Sequence, residues 1–370
     1  MNMPKISVCA TCYNHEKFLP DFVNSVRAQT MTDWELNVVD DCSTDGSFPL
    51  LQKYAAKDSR IRVFQNDRNR HVCYTGNRSV AVASGELVTI ISCDDLLKPG
   101  KLAHDCAFFD KNPSVAGLYT EPEALVPEGG EQRRLPLPAD FTRAHLLRKE
   151  LFEENSLTIP GLTVRKSAWD CVGGYNPLLR MSQDHEFHVK LLERFDVAKS
   201  AEVTVQYRIH TDNLSRPTDA YLGAVSNESI CFLTDHYLCG IRSVQLLKDI
   251  VPECVRYGVP EVPAIPYFLS RFAYECGKTA AVRFAGLLAL YRFLSVRENR
   301  EYLERKYDFL AKDIMPMMEF PALEAAKRLM RAESSLALIE KSVSYRVGLS
   351  STWTFRKNYQ LLRLHFGEAV

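Results

Sequence analysis

The chain has no long hydrophobic run, no excess of charge of either sign and no cysteine pattern at zinc-ligand spacing. It also has no glycine-rich basic loop after its first apolar segment. Each absence excludes something. None of the apolar stretches approaches the roughly 18 residues needed to cross a bilayer. The longest, from Phe284 to Tyr291, is bracketed by Arg283 and Arg292 and reads as a core helix. After Met1-Asn-Met-Pro-Lys5 the chain enters an apolar segment at once, so no signal peptide is expected. The 46 basic and 46 acidic residues cancel, which argues against a nucleic-acid protein held by bulk charge. Cys9-Ala-Thr-Cys12 has CxxC spacing, but neither a second pair nor a His-x-His partner follows it. The eleven cysteines are an odd number, and Cys9 and Cys93 lie inside apolar strand patterns. They read as reduced core residues of a cytosolic protein.

What is present is ordinary globular material, 46% hydrophobic and 25% charged, in 370 residues. That length predicts two domains rather than one. Apolar strand segments at 6–10, 34–39, 61–64 and 87–91 alternate with helical patterns at 18–26, 48–56 and 74–83. Such alternation implies βαβ units and a parallel sheet, with right-handed crossovers that bring the strand ends to one edge. Thr11, Asp41 and Asp95 follow three of those strands, so they are expected to converge where open α/β sheets bind ligands. The adjacent carboxylates of Asp94 and Asp95 would repel unless a cation lies beside them. A divalent metal carrying phosphate oxygens is the usual answer, and a solvated Asp-Asp turn is the plain one.

Several of these stretches resemble a known family. Ser7-Val-Cys-Ala-Thr-Cys-Tyr-Asn14, Gln29-Thr30, Trp34-Glu-Leu36, Val38-Val-Asp-Asp-Cys-Ser-Thr-Asp-Gly46 and Ser84-Gly-Glu86 with Asp94-Asp95 look like family 2 inverting glycosyltransferases. The likeness continues through Gly161-Leu-Thr-Val-Arg-Lys-Ser167, Val172-Gly-Gly-Tyr175, Gln183-Asp184-His185 and Tyr207-Arg-Ile-His210 with Asn213 and Ser215. It covers about residues 4–216. The resemblance implies an α/β GT-A fold, a Rossmann-like, mostly parallel central sheet flanked by helices. On that reading residues 1–217 form the transferase domain, with a nucleotide-binding half (1–100) and an acceptor-binding half (101–217). An all-helical C-terminal region would occupy 218–370.

By the same resemblance, Thr11, Tyr13, Asn14, Asp41, Asn77, Asp94 and Arg208 would contact a nucleotide-sugar donor, most simply a UDP-sugar. Thr11 and Asp41 would hold base and ribose, Arg208 would neutralise phosphate charge, and Asn77, matching the family's helix Asn, would also have a packing or hydrogen-bonding role. Asp94, Asp95 and His210 would hold Mn²⁺ or Mg²⁺, which acts as a Lewis acid on the leaving diphosphate. Asp184 would be the general base that takes the proton of the acceptor hydroxyl. Two positions depart from the family's commonest form: Ser92 stands where Asp-x-Asp has its first acid, and Gln183 stands where Glu-Asp has its glutamate.

The acceptor implied is a hydroxyl of a surface polysaccharide or a lipid-linked glycan, and the site of action is the cytoplasm or the inner face of the membrane. Beyond residue 217 apolar residues recur at helical spacing in 220–250, 265–295, 299–313, 320–342 and 353–366. The last stretch, Trp353 to Phe366, carries Arg356, Lys357 and Arg363. It reads either as an amphipathic helix on an anionic membrane or as a helix docked on its neighbours or a second subunit. Residues 121–140, rich in Pro, Gly and Glu, read as an exposed excursion. Two rivals compete with the transferase. A nucleotidyltransferase would need a basic phosphate loop where this chain has Thr11-Cys-Tyr-Asn-His-Glu16. A catalytically weak nucleotide-sugar-binding scaffold, partnering another glycosyltransferase, would tolerate Ser92 and Gln183.

Overall fold

A computed structural model describes residues 3–125, 134–211, 213–214 and 218–318 of the chain. The helical stretches expected at 320–342 and 353–366, with the membrane-facing reading of the latter, lie outside the described residues, as does Ser215.

The first half alternates as its apolar periodicity predicts. Strand β1 (Ile6–Cys12) leads to helix α1 (Leu19–Arg27), β2 (Trp34–Asp40) to α2 (Ser47–Ala55), and β3 (Ile61–Gln65) to α3 (His71–Ala81). Then come β4 (Leu87–Ser92), the short β5 (Leu96–Leu97) and α4 (Lys101–Lys111). The strands run parallel, with β1 between β2 and β4 and β3 outside β2. All seven residues of β2 are buried, as expected for a strand covered on both faces. The strands run past their apolar cores: Thr11 and Cys12 belong to β1 and Asp40 to β2, because ladder bonds continue to Cys12↔Asp40. On α1, Leu19, Phe22, Val23 and Val26 form the buried stripe that fixes the helix on the sheet. Each such side chain contributes about 1.5–3 kcal/mol by leaving water.

The chain then adds β6 (Gly117–Thr120), β7 (Glu123–Leu125), α5 (Arg143–Phe152), β8 (Thr163–Arg165), α6 (Lys166–Val172), α7 (Gln183–Arg194), β9 (Val197–Ser200) and β10 (Val205–Arg208). The large sheet has the order β3-β2-β1-β4-β8-β6-β9, with β8 antiparallel to both neighbours. A small sheet, β5-β10-β7, folds the Tyr207–His210 segment back beside Asp94 and Asp95. The expected excursion at 121–140 is therefore corrected in part: Glu123–Leu125 is a strand paired with β10, and Leu137 is buried. Its Pro and Gly content had masked a three-residue strand.

From Thr218 to Met318 the described chain is helical: α8 (Asp219–Cys239), α9 (Val244–Ile250), α10 (Ile265–Cys276), α11 (Ala280–Ser295) and α12 (Arg297–Tyr307) lead its elements. The stretches expected at 220–250 and 265–295 are each two helices. Ser243 and Thr279 accept the N–H groups of Leu246 and Val282 and so start new helices inside them. This region shares its core with the sheet half: Phe152 of α5 stacks on Tyr237 of α8 and meets Phe272 of α10 edge-on. Among the described residues no helix is long and apolar enough to cross a membrane.

Candidate functional site

The site forms at the carboxyl edge of β1, β2 and β4. Thr11 lies opposite Val39 on one side and Ser92 on the other. Beyond the strands, the Asp41 N–H donates to Cys12 O (2.8 Å) and the Cys93 N–H to Thr11 O (3.0 Å). Backbone pairing thus carries both acidic turns to the same edge.

The two acids after β2 have different work. Asp40 is fully buried and accepts from Ser43 N and from Gln65 Nε2, each at 3.0 Å, which shapes the turn. Asp41 accepts on Oδ1 from Asn66 Nδ2 and from Arg70 N, both at 2.7 Å. Among the described residues its Oδ2 carries no such bond, and it is the oxygen left for a ligand. Asn66 is held in turn by Thr75 and Arg78. Thr11 is half-buried, and Tyr13 is 43% exposed. Asn14 adopts a left-handed backbone (φ 57°), its Oδ1 accepting from Thr44 N at 2.8 Å. That side chain is committed to joining the β1 turn to the β2 turn.

Around Asp94 and Asp95 the groups expected from the sequence do meet. His210 Nε2 lies 2.9 Å from Asp94 Oδ2, and His15 Nε2 lies 4.0 Å from the same oxygen. Asp94 Oδ1 is buried and has no hydrogen-bond partner among the described residues. Asp95 Oδ1 accepts from Arg208 N (2.9 Å), while Arg208 Nε donates to Asp94 O (2.8 Å) and its guanidinium reaches Asp21 (3.0 Å). Phe18 forms the floor under both His210 and Arg208.

Burial pushes Asp94 upward, but His15, a bond from Ser92 and His210 outweigh it and hold the carboxyl below its ordinary value. Burial and then the charge of Asp94 push Asp95 well above the carboxylate range. Two adjacent acids have thus been driven apart in proton affinity. Among the described residues no three His, Cys, Asp or Glu side chains already converge as a ligand set. The Asp94 oxygen without a partner among the described residues and the Asp95 carboxyl are nonetheless the hard oxygen donors that Mg²⁺ or Mn²⁺ prefers, with the His210 and His15 imidazoles as borderline nitrogen donors beside them.

Asp184 sits in the first turn of α7, half-buried, accepting its next residue's N–H at 2.8 Å. Burial raises it to about 6; the His185 N–H and the Asn155 side chain oppose this, and Glu228 adds to it. Asn77, expected among the donor contacts, is spent on Tyr175, with both ends of its amide bonded to that residue's main chain. Sequence reasoning passed over His15, Asn66, Asn155 and Glu228. His15 follows β1 directly and was legible from strand convergence. Asn155 and Glu228 come from an irregular segment and a helix with no local signal.

The description "Glycosyl transferase family 2" matches residues 7–163. The putative teichuronic acid biosynthesis glycosyltransferase TuaG of Bacillus subtilis is 28% identical over 57% of this chain and 82% of its own length. The putative colanic acid biosynthesis glycosyl transferase WcaA of Escherichia coli is 26% identical over 67% of this chain and 98% of its own. The match to an uncharacterized Sinorhizobium fredii protein, y4gI, is 31% identical but spans only 21% of that relative. Among solved structures, Staphylococcus aureus TarS 1–349 with UDP superposes with a TM-score of 0.54 at 17% identity, covering 90% of this chain and 91% of that one. The same protein with UDP-GlcNAc gives 0.56 at 18%, covering 82% and 93%. At these identities the likeness is one of fold.

Proposed function

Residues 7–163 belong to glycosyl transferase family 2, and from that premise we propose a metal-dependent inverting transfer. A sugar moves from a nucleotide-sugar donor, a UDP-sugar in the simplest reading, to a hydroxyl of a glycan acceptor. The observation that carries this reading is the strand edge shared by Asp41 and Asp94–Asp95: among the described residues the recorded bonds to Asp41 fall on Oδ1 alone, and Asp94 Oδ1 has no hydrogen-bond partner. Thr11, Tyr13 and Asp41 would take the base and ribose, with Arg208 near the diphosphate. Asp94, Asp95 and His210 would hold the divalent cation, which when bound supplies charge neutralisation to the departing diphosphate.

Asp184 then takes the proton of the acceptor hydroxyl as that oxygen attacks the anomeric carbon. The bond from that carbon to the diphosphate oxygen breaks, and the nucleoside diphosphate leaves with the bonding pair. A single displacement inverts the configuration and needs no second nucleophile. A proton affinity near 6 suits the role, since the group is ionised at neutral pH yet basic enough to accept a proton. The likeness to TuaG and WcaA, named for teichuronic and colanic acid biosynthesis, supports a cell-surface polysaccharide or its lipid-linked precursor as acceptor.

Calorimetry with UDP and GDP, each with and without Mn²⁺, tests the donor side. The reading expects UDP to bind with Mn²⁺ and Asp41→Ala to weaken that binding. Absence of binding by either nucleotide would overturn it.

A further inference from the structure

The helical region reaches the reaction centre through one carboxylate. Any α-helix begins with N–H groups that lack intrahelical acceptors. At the start of α7 the N-cap residue, Ser182, supplies no side-chain cap. The acceptor comes instead from α8: Glu228 Oε1 accepts from Arg180 N at 3.0 Å, and its Oε2 accepts from Met181 N and Ser182 N, both at 2.8 Å. Three N–H groups aimed at one carboxyl favour its ionised form, against the burial that raises it above its ordinary value. The charge also lies at the positive end of the α7 dipole. Asp184 is two residues beyond the last of these donors.

We propose that Glu228 is a positioning residue for the transfer reaction, clamping the 180–182 turn so that Asp184 faces the acceptor. It also supplies the negative charge beside Asp184 that Gln183, where the resembled family has glutamate, does not carry. This rests on the reading of Asp184 as general base. The clamp gives the helical region a direct part in catalysis, because a shift of α8 displaces the base.

The titratable groups facing Asp184 are Glu228 and Tyr221 from α8, Glu150 from α5, Tyr119 from β6, Tyr175 after α6 and Cys73 from α3. Burial holds the tyrosines and the thiol neutral, and raises Glu150 to about 8, so it too is neutral at pH 7. Arg180 stands by Glu228 and tempers its charge. Glu228 is therefore the anion whose removal Asp184 feels.

The test is steady-state transfer by the full chain as Glu228→Gln, Glu228→Asp and Asp184→Asn, from about pH 5 to about pH 8, with UDP binding measured on each. In Glu228→Gln an amide N–H₂ opposes a main-chain N–H. Its kcat should fall about tenfold to a hundredfold, with donor KM and UDP affinity unchanged, and its acid limb should move to lower pH. Glu228→Asp, shorter but charged, should lose kcat while keeping the acid limb near that of the wild type. Wild-type kcat and acid limb in Glu228→Gln, with Asp184→Asn inactive, would overturn this inference alone. Equal loss of kcat and UDP binding in both Glu228 variants would also overturn it, by assigning Glu228 a purely structural role. Full activity of Asp184→Asn would instead sink the reading of the base on which the inference rests.

Discussion

Asn77 and Tyr175, 98 positions apart, join as a pair: Asn77 Nδ2 donates to Tyr175 O and Asn77 Oδ1 accepts from Tyr175 N, each at 2.8 Å. A side-chain amide here imitates one rung of a β-ladder and ties α3 to the turn after α6. Gly174 makes the approach possible. Its backbone is left-handed (φ +62°), and a Cβ there would stand 2.6 Å from Asn77 Oδ1. The turn leads toward α7, so the clasp ties that helix's approach to the β1–β4 side of the sheet.

Asn77→Ala should therefore cost stability, since it leaves both Tyr175 main-chain groups unpaired. The expected loss is about 1–3 kcal/mol by urea unfolding. UDP binding should be unaffected while the acceptor KM rises. An unchanged unfolding midpoint would mean that water replaces the clasp.

As the proposed base, Asp184 must be ionised to act, and burial raises its carboxyl to about 6. The kcat profile should accordingly fall below about pH 6, approaching tenfold per pH unit. Asp184→Asn should lower kcat by about 10²–10⁴ at neutral pH and leave UDP affinity intact. A flat profile down to about pH 4.5 would point to another base.

Glu150 offers a prediction about stability. It is fully buried, takes both Ser156 N–H and Ser156 Oγ–H on Oε1, and is pushed up to about 8 by burial. An unfolded glutamate ionises near 4.3. Between those values the native state holds a proton that the unfolded state has lost. Stability therefore declines as pH rises through that window and levels off above about 8. Glu150→Gln keeps an acceptor for Ser156 and has no proton to lose. Its stability relative to wild type should rise from about pH 5.5 to about pH 8, as measured by urea midpoints. Parallel curves for the two proteins would contradict the burial argument.

Much of the first hundred residues was legible because their signals are local. Apolar runs ending in Asp40-Asp41 and Asp94-Asp95 specify strands whose ends must converge once the sheet is parallel. The division of labour between Asp40 and Asp41 was less legible, since it depends on Asn66, Gln65 and Arg70 arriving from elsewhere. The small sheet was hidden for a similar reason: Glu123–Leu125 is too short and too polar to show a period, and only β10 makes it a strand. Least legible was Glu228, on a helix whose pattern reads as ordinary packing, although its carboxylate caps the turn before Asp184.

The central claim is metal-dependent release of a nucleoside diphosphate at the Asp94–Asp95 edge. The most direct measurement is that release from a panel of nucleotide sugars with a glycan acceptor mixture, under Mn²⁺, Mg²⁺ or EDTA, for wild type and Asp95→Ala. The account predicts release from one donor class, with UDP-sugars first, abolished both by EDTA and by the substitution. Release that persists undiminished in EDTA and in Asp95→Ala would contradict it.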